Sequence, residues 1–236
     1  MIPPNFTLFG NPAKRFRFSL RATIGAAVIV TSIMSQPVLA LHCGAPGSYR
    51  AVRTADGNRV IFLHSREPGD VMFALAGSDL RNDTEAPPGN RVQVVLDGLH
   101  FSYFEVLKSE FLKPDEATLD DATVLARHAE WERLSLTRAH GPLSEFLDMG
   151  NHTRDSQDAN SAYTFKTWQM QEPEHHDRVR QVFVTTVAGD RVIVMSAIAA
   201  NQTEWARVMS AMSMYSGSYT LVTEKYGCPK FAEKHG

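Results

Sequence analysis

The densest group of potential metal ligands in the chain lies between two predicted strands. It combines two imidazoles and three carboxylates, namely Glu172, Glu174, His175, His176 and Asp177. Imidazole and carboxylate groups bind zinc, copper and nickel, so a metal site is one hypothesis. Adjacent histidines in an extended loop point in opposite directions, however, which is poor geometry for a single ion. A solvated loop between strands requires only polarity, and we interpret the segment first as such a loop.

Catalytic motifs are scarce by comparison. The sequence has no Gly-x-Ser-x-Gly element, no phosphate-binding glycine loop and no Cys-x-x-Cys pair. His128 and Glu132 stand one helical turn apart, but no second histidine completes a metal-binding motif, so we interpret them as an ordinary helical pair. A Ser-His-Asp triad stays open as an alternative because all three residue types are plentiful. We expect a protein that is not an enzyme and that carries no cofactor.

The tryptophans offer a different kind of site. Trp131, Trp168 and Trp205 are predicted to lie on the long helix, on a strand and on the last helix. Packing in the core is the default interpretation for each indole. The sharper hypothesis is that the three side chains share a cleft that binds a ligand.

The first forty residues predict export from the cytoplasm. A basic segment that includes Lys14 and Arg21 precedes an apolar stretch, and the segment ends in small residues at Ala40. This order is typical of a secretory signal peptide, residues 1–40, that is cleaved after Ala40. An uncleaved anchor is the alternative, but the apolar run is only about 14 residues long, against the roughly 20 that span a bilayer. We expect a periplasmic or secreted protein whose residues 41–236 form a single domain.

The charge of the chain limits its partners. The full sequence has 24 basic and 26 acidic residues, and removing the four basic residues of the leader changes the net charge from −2 to −6. A mildly acidic protein is a poor match for nucleic acid or for anionic membranes. No second apolar run reaches membrane length, so we expect no transmembrane segment in the mature chain.

The two cysteines stand near the two ends of the predicted mature chain. In an exported protein, Cys43 and Cys228 are expected to form one disulfide bond. A lipidated Cys43 is an alternative, but His42 is bulkier than the residue that lipoprotein signals require at that position. Free thiols are the remaining possibility.

Turn residues and alternating hydrophobicity outline the first half of the domain. Asp56-Gly57 and Asp97-Gly98 each separate two strand-like runs, which predicts two hairpins. Residues 71–76 could form another strand, and the polar segment 78–90 predicts an exposed loop. In the strand after Asp97-Gly98, Phe101, Tyr103 and Glu105 fall on one face, and Ser102, Phe104 and Val106 fall on the other.

The second half reads as a helix, several strands and a final helix. The long helix is predicted from Asp115 or Thr118 to about Arg138, with Leu119, Ala122, Leu125, Ala126 and Ala129 at helical spacing. Strands are predicted at 143–149, 161–170, 179–188 and 191–199, with a polar turn region at 151–160. Thr203 is predicted to cap the last helix. The pattern predicts an α+β fold in which an antiparallel sheet is covered by two main helices.

A family resemblance appears in this half of the chain. It is carried by two segments, Arg180-Gln-Val-Phe-Val-Thr-Thr-Val-Ala-Gly-Asp-Arg-Val-Ile-Val-Met195 and Thr203-Glu-Trp-Ala-Arg-Val-Met-Ser-Ala-Met212. With the preceding helix and strand, they resemble the fold shared by the photosystem extrinsic protein PsbP and the bacterial envelope protein DcrB, over residues 118–222. The resemblance implies a central hairpin that leads into a helix covering the sheet. It also implies a role in protein binding or in the envelope, and it transfers no catalytic residue.

Export, the resemblance and the lack of catalytic motifs together predict a function. We expect a non-enzymatic envelope protein that binds a protein or envelope partner, through an exposed hairpin or through the loop 78–90. The alternative is a periplasmic protein that binds a small molecule or a metal ion through residues 172–177.

Overall fold

The structure is a computed structural model that describes residues 43, 45, 47–66, 69–82, 91–140, 145–155, 162–171, 180–222 and 228. The predicted signal peptide and residues 172–177 lie outside the described residues. The first six strands are β1 (Tyr49–Arg53), β2 (Arg59–His64), β3 (Val71–Ala76), β4 (Leu80–Asn82), β5 (Arg91–Leu96) and β6 (Leu99–Leu107). They are followed by α1 (Asp121–His140), β7 (Glu145–Asp155), β8 (Ala162–Gln171), β9 (Arg180–Ala188), β10 (Arg191–Ala199), α2 (Gln202–Ser218) and β11 (Thr220–Leu221).

The strands form two antiparallel sheets. The smaller sheet has the order β1-β2-β3-β11, and the seven-stranded sheet has the order β4-β5-β6-β10-β9-β8-β7. The α+β class with antiparallel strands and two main helices is therefore confirmed, and the strands are divided between two sheets. The chain returns after α2 and pairs β11 with the free edge of β3, which keeps the first three strands in a sheet of their own.

The seven-stranded sheet is covered on both faces. On β6, Phe101 and Tyr103 join an apolar cluster shared with the four-stranded sheet and α2, as the predicted alternation requires. Phe104 and Val106 point to the other face and pack in a second cluster with residues of α1. Because each strand presents alternate side chains to the two faces, one sheet supports two hydrophobic layers.

Turn chemistry explains the hairpin that β5 and β6 form. Asp97 and Gly98 adopt φ angles of 50° and 80°, the left-handed pair that a two-residue type I′ turn requires between β5 and β6. The Asp97 carboxylate also accepts hydrogen bonds from the backbone N–H groups of Ser78 and Asp79, which attaches the start of β4 to this turn. Residues 78–82 are therefore partly strand, although the sequence predicts a loop over 78–90; residues 83–90 lie outside the described residues.

Both helices begin at residues that differ from the predicted ones. The Asp120 carboxylate accepts from the Thr123 N–H at 2.9 Å, which places the start of α1 after the predicted Asp115 or Thr118. For α2, Asn201 rather than Thr203 is the N-cap, since its side chain accepts from the Glu204 N–H. In both helices, the side-chain oxygen of the N-cap residue accepts a hydrogen bond from the backbone N–H three residues later, which both Asp and Asn can do.

The buried face of α1 also differs from the predicted stripe. Val124, Leu125, His128 and Ala129 are buried, whereas Ala126 is exposed. The helix is thus rotated so that a histidine, rather than a second alanine, faces the sheet.

A disulfide bond joins Cys43 to Cys228 across a sequence separation of 185 residues, with Cα atoms 5.4 Å apart. The Cys43 N–H also donates a hydrogen bond to the Asp70 carboxylate, which lies at the start of β3. The pairing predicted from the sequence is the one present. Neither helix in the described part of the chain has the length and apolar composition needed to cross a bilayer.

Candidate functional site

The strand β7 lies at one edge of the seven-stranded sheet. It extends from Glu145 to Asp155, although the sequence predicts a turn region from residue 151. It is the last strand of the seven-stranded sheet, and no strand in the described part of the chain pairs with its outer edge. Edge strands expose backbone N–H and C=O groups that can pair with another chain. β7 is thus a natural place for a partner to bind.

A β-bulge interrupts β7 and is held by one carboxylate. The register with β8 shifts between Asp148 and Asn151. Gly150 adopts a φ of 91°, which favours glycine. Asp148 accepts a hydrogen bond from the Gly150 N–H at 2.8 Å and forms an ion pair with Lys166 Nζ at 2.6 Å. The Lys166 ammonium and this N–H also lower the pKa of Asp148. The bulge is therefore a defined feature that fixes how the two halves of β7 are oriented.

Two large apolar side chains of β7 face solvent. On β7, Leu147 is 44% exposed and Met149 is 40% exposed. The other exposed large hydrophobic side chain among the described residues is Leu134 on α1. Leu147 lies opposite Gln169, which in turn lies opposite Val182 of the first apolar cluster. Leu147 therefore points to the same face as that cluster, at a position that α2 does not cover.

A groove of about 540 Å³ lies between β7 and α2, and we name it the β7–α2 groove. Its wall on α2 is one helical face, with residues at spacings of three and four positions. Its opposite wall and floor come from three strands of the sheet. The lining residues are Met149, His152, Thr153, Arg154, Thr167, Val184, Met209, Met212, Ser213, Ser216 and Gly217.

Thioethers and one imidazole are the groove's distinctive groups. Met149 from the bulge and Met209 and Met212 from α2 all line the groove. The His152 ring stacks on Phe165, with ring centroids 5.1 Å apart. Burial, together with the charge of Arg154, lowers the pKa of His152. The groove therefore presents a neutral imidazole at neutral pH beside three polarisable sulfur atoms.

Arg154 closes one end of the groove and is already bound. Its Nη1 donates to the Gly217 carbonyl at 3.0 Å, and its Nη2 donates to the Tyr219 carbonyl. Its guanidinium also lies over the Tyr163 ring, 5.2 Å from the centroid. Cations stabilise the last carbonyls of a helix, so the structure uses Arg154 to cap α2.

A second polar cluster lies between the two sheets. Glu105 of β6 forms ion pairs with Arg66, which follows β2, and with Arg191 of β10 at 3.2 Å. His64 Nδ1 lies 3.1 Å from the Tyr103 hydroxyl and 3.5 Å from the Glu105 carboxylate. Burial lowers the pKa of His64, against the opposing effect of Glu105. Breaking a buried ion pair costs about 3–5 kcal/mol. Because these charges are already paired with one another, we interpret the cluster as a structural link between the sheets and not as a binding site.

His128 and Glu132 lie one turn apart on α1, where His128 is buried and Glu132 is half-buried. His128 is 0% exposed, and in the described part of the chain neither ring nitrogen has a hydrogen-bond partner. Burial lowers the pKa of His128 to about 4 and raises that of Glu132 to about 7. The rings of Phe111 and Trp131 flank the imidazole, with centroids 5.3 and 5.9 Å away. Both side chains are shielded from solvent on α1, and their pairing stays a prediction.

Comparison with known proteins gives similarity only in structure. No protein-family model matches the chain, and no curated protein matches its sequence. Among solved structures, the chain is similar to the cyanobacterial PsbP (CyanoP) of Synechocystis sp. PCC 6803, with a TM-score of 0.42, 11% identity and coverage of 79% of this chain and 100% of that one. It is also similar to LpqN, involved in cell envelope biogenesis of Mycobacterium tuberculosis, with a TM-score of 0.32, 16% identity and coverage of 77% and 88%. The first of these structures is a PsbP protein, from the family whose fold the sequence resembles.

The predicted tryptophan cleft does not exist in this fold. Trp168 is fully buried and stacks on Phe183, and Trp131 packs against the same cluster under α1. Trp205 packs against the cluster on the opposite face of the sheet, where Arg180 lies 5.0 Å from its ring centroid. The hypothesis of a shared cleft was therefore wrong, because the sheet separates Trp205 from the other two.

The predicted metal ligands Glu172, Glu174, His175, His176 and Asp177 lie outside the described residues. Within the described ranges, no group of three or more His, Cys, Asp or Glu side chains is placed to hold a metal ion. The groove was missed because its members come from distant parts of the chain. The available signals were Leu147 and Met149 beside Gly150, and the methionines of the last helix.

Proposed function

We propose that this chain is an exported, non-enzymatic protein of the cell envelope that binds a protein partner at strand β7. The observation that carries the proposal is an eleven-residue edge strand with two exposed apolar side chains and no strand on its outer side among the described residues. Strand addition is a common mode of peptide recognition in which backbone groups supply affinity and alternate side chains supply specificity.

The bulge defines which part of β7 binds. A bulge breaks the regular pattern of edge hydrogen bonds, so an added strand pairs with one half of β7 rather than with its full length. The half before the bulge carries Leu147, which is 44% exposed. We therefore place the partner strand along residues 145–148. Fully burying an exposed leucine side chain contributes about 1.5–3 kcal/mol, and the 44% of Leu147 that is still exposed makes it the main apolar contact in this half of the strand.

Export is supported by two features of the chain. The leader has the order of a signal peptide, and the Cys43–Cys228 disulfide is of the kind that persists in oxidising compartments. Intact mass of the protein purified from the envelope fraction tests this part. A chain that begins at Leu41 and is two hydrogens lighter than its reduced form is expected. A chain that retains residues 1–40 would contradict cleavage.

Partner binding is tested with matched charged substitutions. Leu147→Glu places a carboxylate on the proposed contact, and Leu134→Glu places the same group on α1, at a side chain of similar exposure, 38%. After cross-linking in the intact envelope, we expect one partner that wild type and Leu134→Glu retain and that Leu147→Glu loses. The purified complex should show slowed amide exchange in residues 145–148. Equal capture by both variants, or unchanged exchange, would contradict the proposal.

A further inference from the structure

We propose that the β7–α2 groove binds one soft monovalent metal ion, Cu(I), through the thioether sulfur atoms of Met149, Met209 and Met212 and the imidazole of His152. This inference does not depend on the partner strand proposed for the outer edge of β7, because the groove lies on the face of the sheet beside α2. It places a metal site at residues other than the predicted 172–177 segment.

Ligand chemistry selects the ion. Thioethers are soft, uncharged donors that favour Cu(I), whereas carboxylates and carbonyls suit harder ions such as Mg²⁺ and Ca²⁺. None of the described residues that line the groove is a carboxylate. The acidic residue next to Met149, Asp148, is held by Lys166 Nζ and the Gly150 N–H. A hard dication would therefore find no anionic oxygen in the groove, while a monovalent soft ion would find four suitable atoms.

The fold brings these donors together from two sides. Met209 and Met212 stand one turn apart on α2, and residues with this spacing are neighbours on a helix surface. Met149 sits in the bulge on the opposite wall, and His152 follows on the same strand and lines the same groove. Each methionine has three rotatable bonds beyond its backbone, which allows the sulfur atoms to adjust to an ion.

Exposure separates two of these methionines, Met149 and Met209, from ordinary core residues, whereas Met212 is 1% exposed and lines the groove from within the first apolar cluster. Met195 is 1% exposed inside the first apolar cluster, where it has only packing contacts of that cluster. Met149 is 40% exposed and Met209 is only partly buried, so an ion can reach both from solvent. Arg154, which would repel a cation, has donors that bind the Gly217 and Tyr219 carbonyls at the end of the groove.

The test uses Ag(I), a redox-inert probe with the same ligand preference as Cu(I), which leaves the disulfide intact. The full chain is labelled at its methionine methyl groups and titrated with silver nitrate in chloride-free buffer. We expect uptake of one Ag(I) per chain and shifts of the methyl signals of Met149, Met209 and Met212. The signals of four methionines outside the groove should stay in place: Met72, Met170, Met195 and Met214.

Substitutions then identify the ligands. Met149→Leu and Met209→Leu keep shape and apolarity, and His152→Phe keeps a ring over Phe165. Each should weaken Ag(I) binding by at least about tenfold. Replacing residues that only support the ligands of a metal site already costs about that much affinity, so losing a ligand should cost no less. Met214→Leu, on the same helix but outside the groove, should bind Ag(I) like wild type.

Three results would overturn the proposal. The first is no stoichiometric uptake of Ag(I). The second is uptake that leaves the three methyl signals unmoved and is abolished by His175→Ala with His176→Ala, which would place the ion at the 172–177 segment. The third is Zn(II) binding of equal strength that shifts the same methyl signals, which would show that the groove does not select soft ions.

Discussion

Two ionisable side chains, His128 and Glu132, lie one helical turn apart on α1. Both are shielded from solvent, His128 fully and Glu132 in part. Their charged forms are disfavoured by burial, which lowers one pKa and raises the other. For Glu132, the Arg91 guanidinium favours the carboxylate and lowers the pKa, whereas the negative charge of Glu110 raises the pKa further. Each residue therefore makes the stability of the fold depend on pH, and the two dependences have opposite signs.

The effect of His128 is isolated by His128→Phe. The pKa of His128 is 6.5 in the unfolded chain and about 4 in the fold, so below pH 6.5 the unfolded state binds a proton that the folded state does not. Relative to His128→Phe, the wild-type free energy of unfolding should fall by about 3 kcal/mol as the pH falls through this window. Urea unfolding of both proteins at about pH 7 and about pH 4.5 measures the difference.

Glu132→Gln provides the control with the opposite sign. The folded pKa of about 7 exceeds the ordinary 4.5, so the stability that Glu132 contributes is present at low pH and is lost as the pH rises through 7. The advantage of Glu132→Gln over wild type should therefore grow with pH. A difference between wild type and His128→Phe that stays constant with pH would show that the imidazole is not buried as described.

At the scale of elements, the bulge of β7 controls how the edge strand and the groove are arranged. Gly150 holds a φ of 91°, and a Cβ at this position would meet no atom within 4 Å. Any cost of replacing it therefore comes from the backbone and not from a clash. Gly217 of α2 has the same open surroundings but no left-handed φ. The two glycines form a matched pair.

Gly150→Ala should destabilise the protein by about 1–2 kcal/mol, because a left-handed backbone is unfavourable for a residue with a Cβ. Gly217→Ala should stabilise it by about 0.5–1 kcal/mol, because alanine loses less entropy in a helix. Thermal unfolding of both variants gives the comparison. Equal shifts of the two melting temperatures would mean that the bulge is not formed in solution.

The sequence predicts those elements best whose two faces are both buried or whose turns are chemically distinct. β10 has the predicted bounds, 191–199, and Asp97-Gly98 separates β5 from β6 as the sequence predicts. The second half of β7 was missed because Asn151–Asp155 is polar throughout, and an edge strand with solvent on its outer side needs no apolar alternation. The site itself could not be predicted, since Met149 and Met209 become neighbours only through the tertiary fold.

At the scale of the whole molecule, the disulfide ties the first described residue to the last described one. Cys43 also contacts the Asp70 carboxylate, whose other partners include the Ser65 hydroxyl and the Arg66 N–H. The N-terminal end of the described chain is thereby attached both covalently and through hydrogen bonds to the region where the two sheets are joined by Arg66 and Glu105.

Replacing both cysteines, Cys43→Ser with Cys228→Ser, should destabilise the fold by about 5 kcal/mol in the chain-entropy model, because the bond closes a loop of 185 residues. Urea unfolding of the variant and of oxidised wild type measures the loss. Reduced wild type should unfold at the same urea concentration as the variant. If all three proteins unfolded at the same urea concentration, the disulfide would not lower the conformational entropy of the unfolded chain, which would contradict the prediction.

The position of this bond also determines how the molecule would carry mechanical load. Tension applied between Cys43 and Cys228 passes through the covalent link and leaves the two sheets unloaded. The chain between them, with a sequence separation of 185, cannot lengthen until the bond is reduced, after which it could extend by up to roughly 600 Å at the usual rise of an extended backbone. While the bond is oxidised, the distance between these two residues is fixed, and reduction rather than force releases the chain between them.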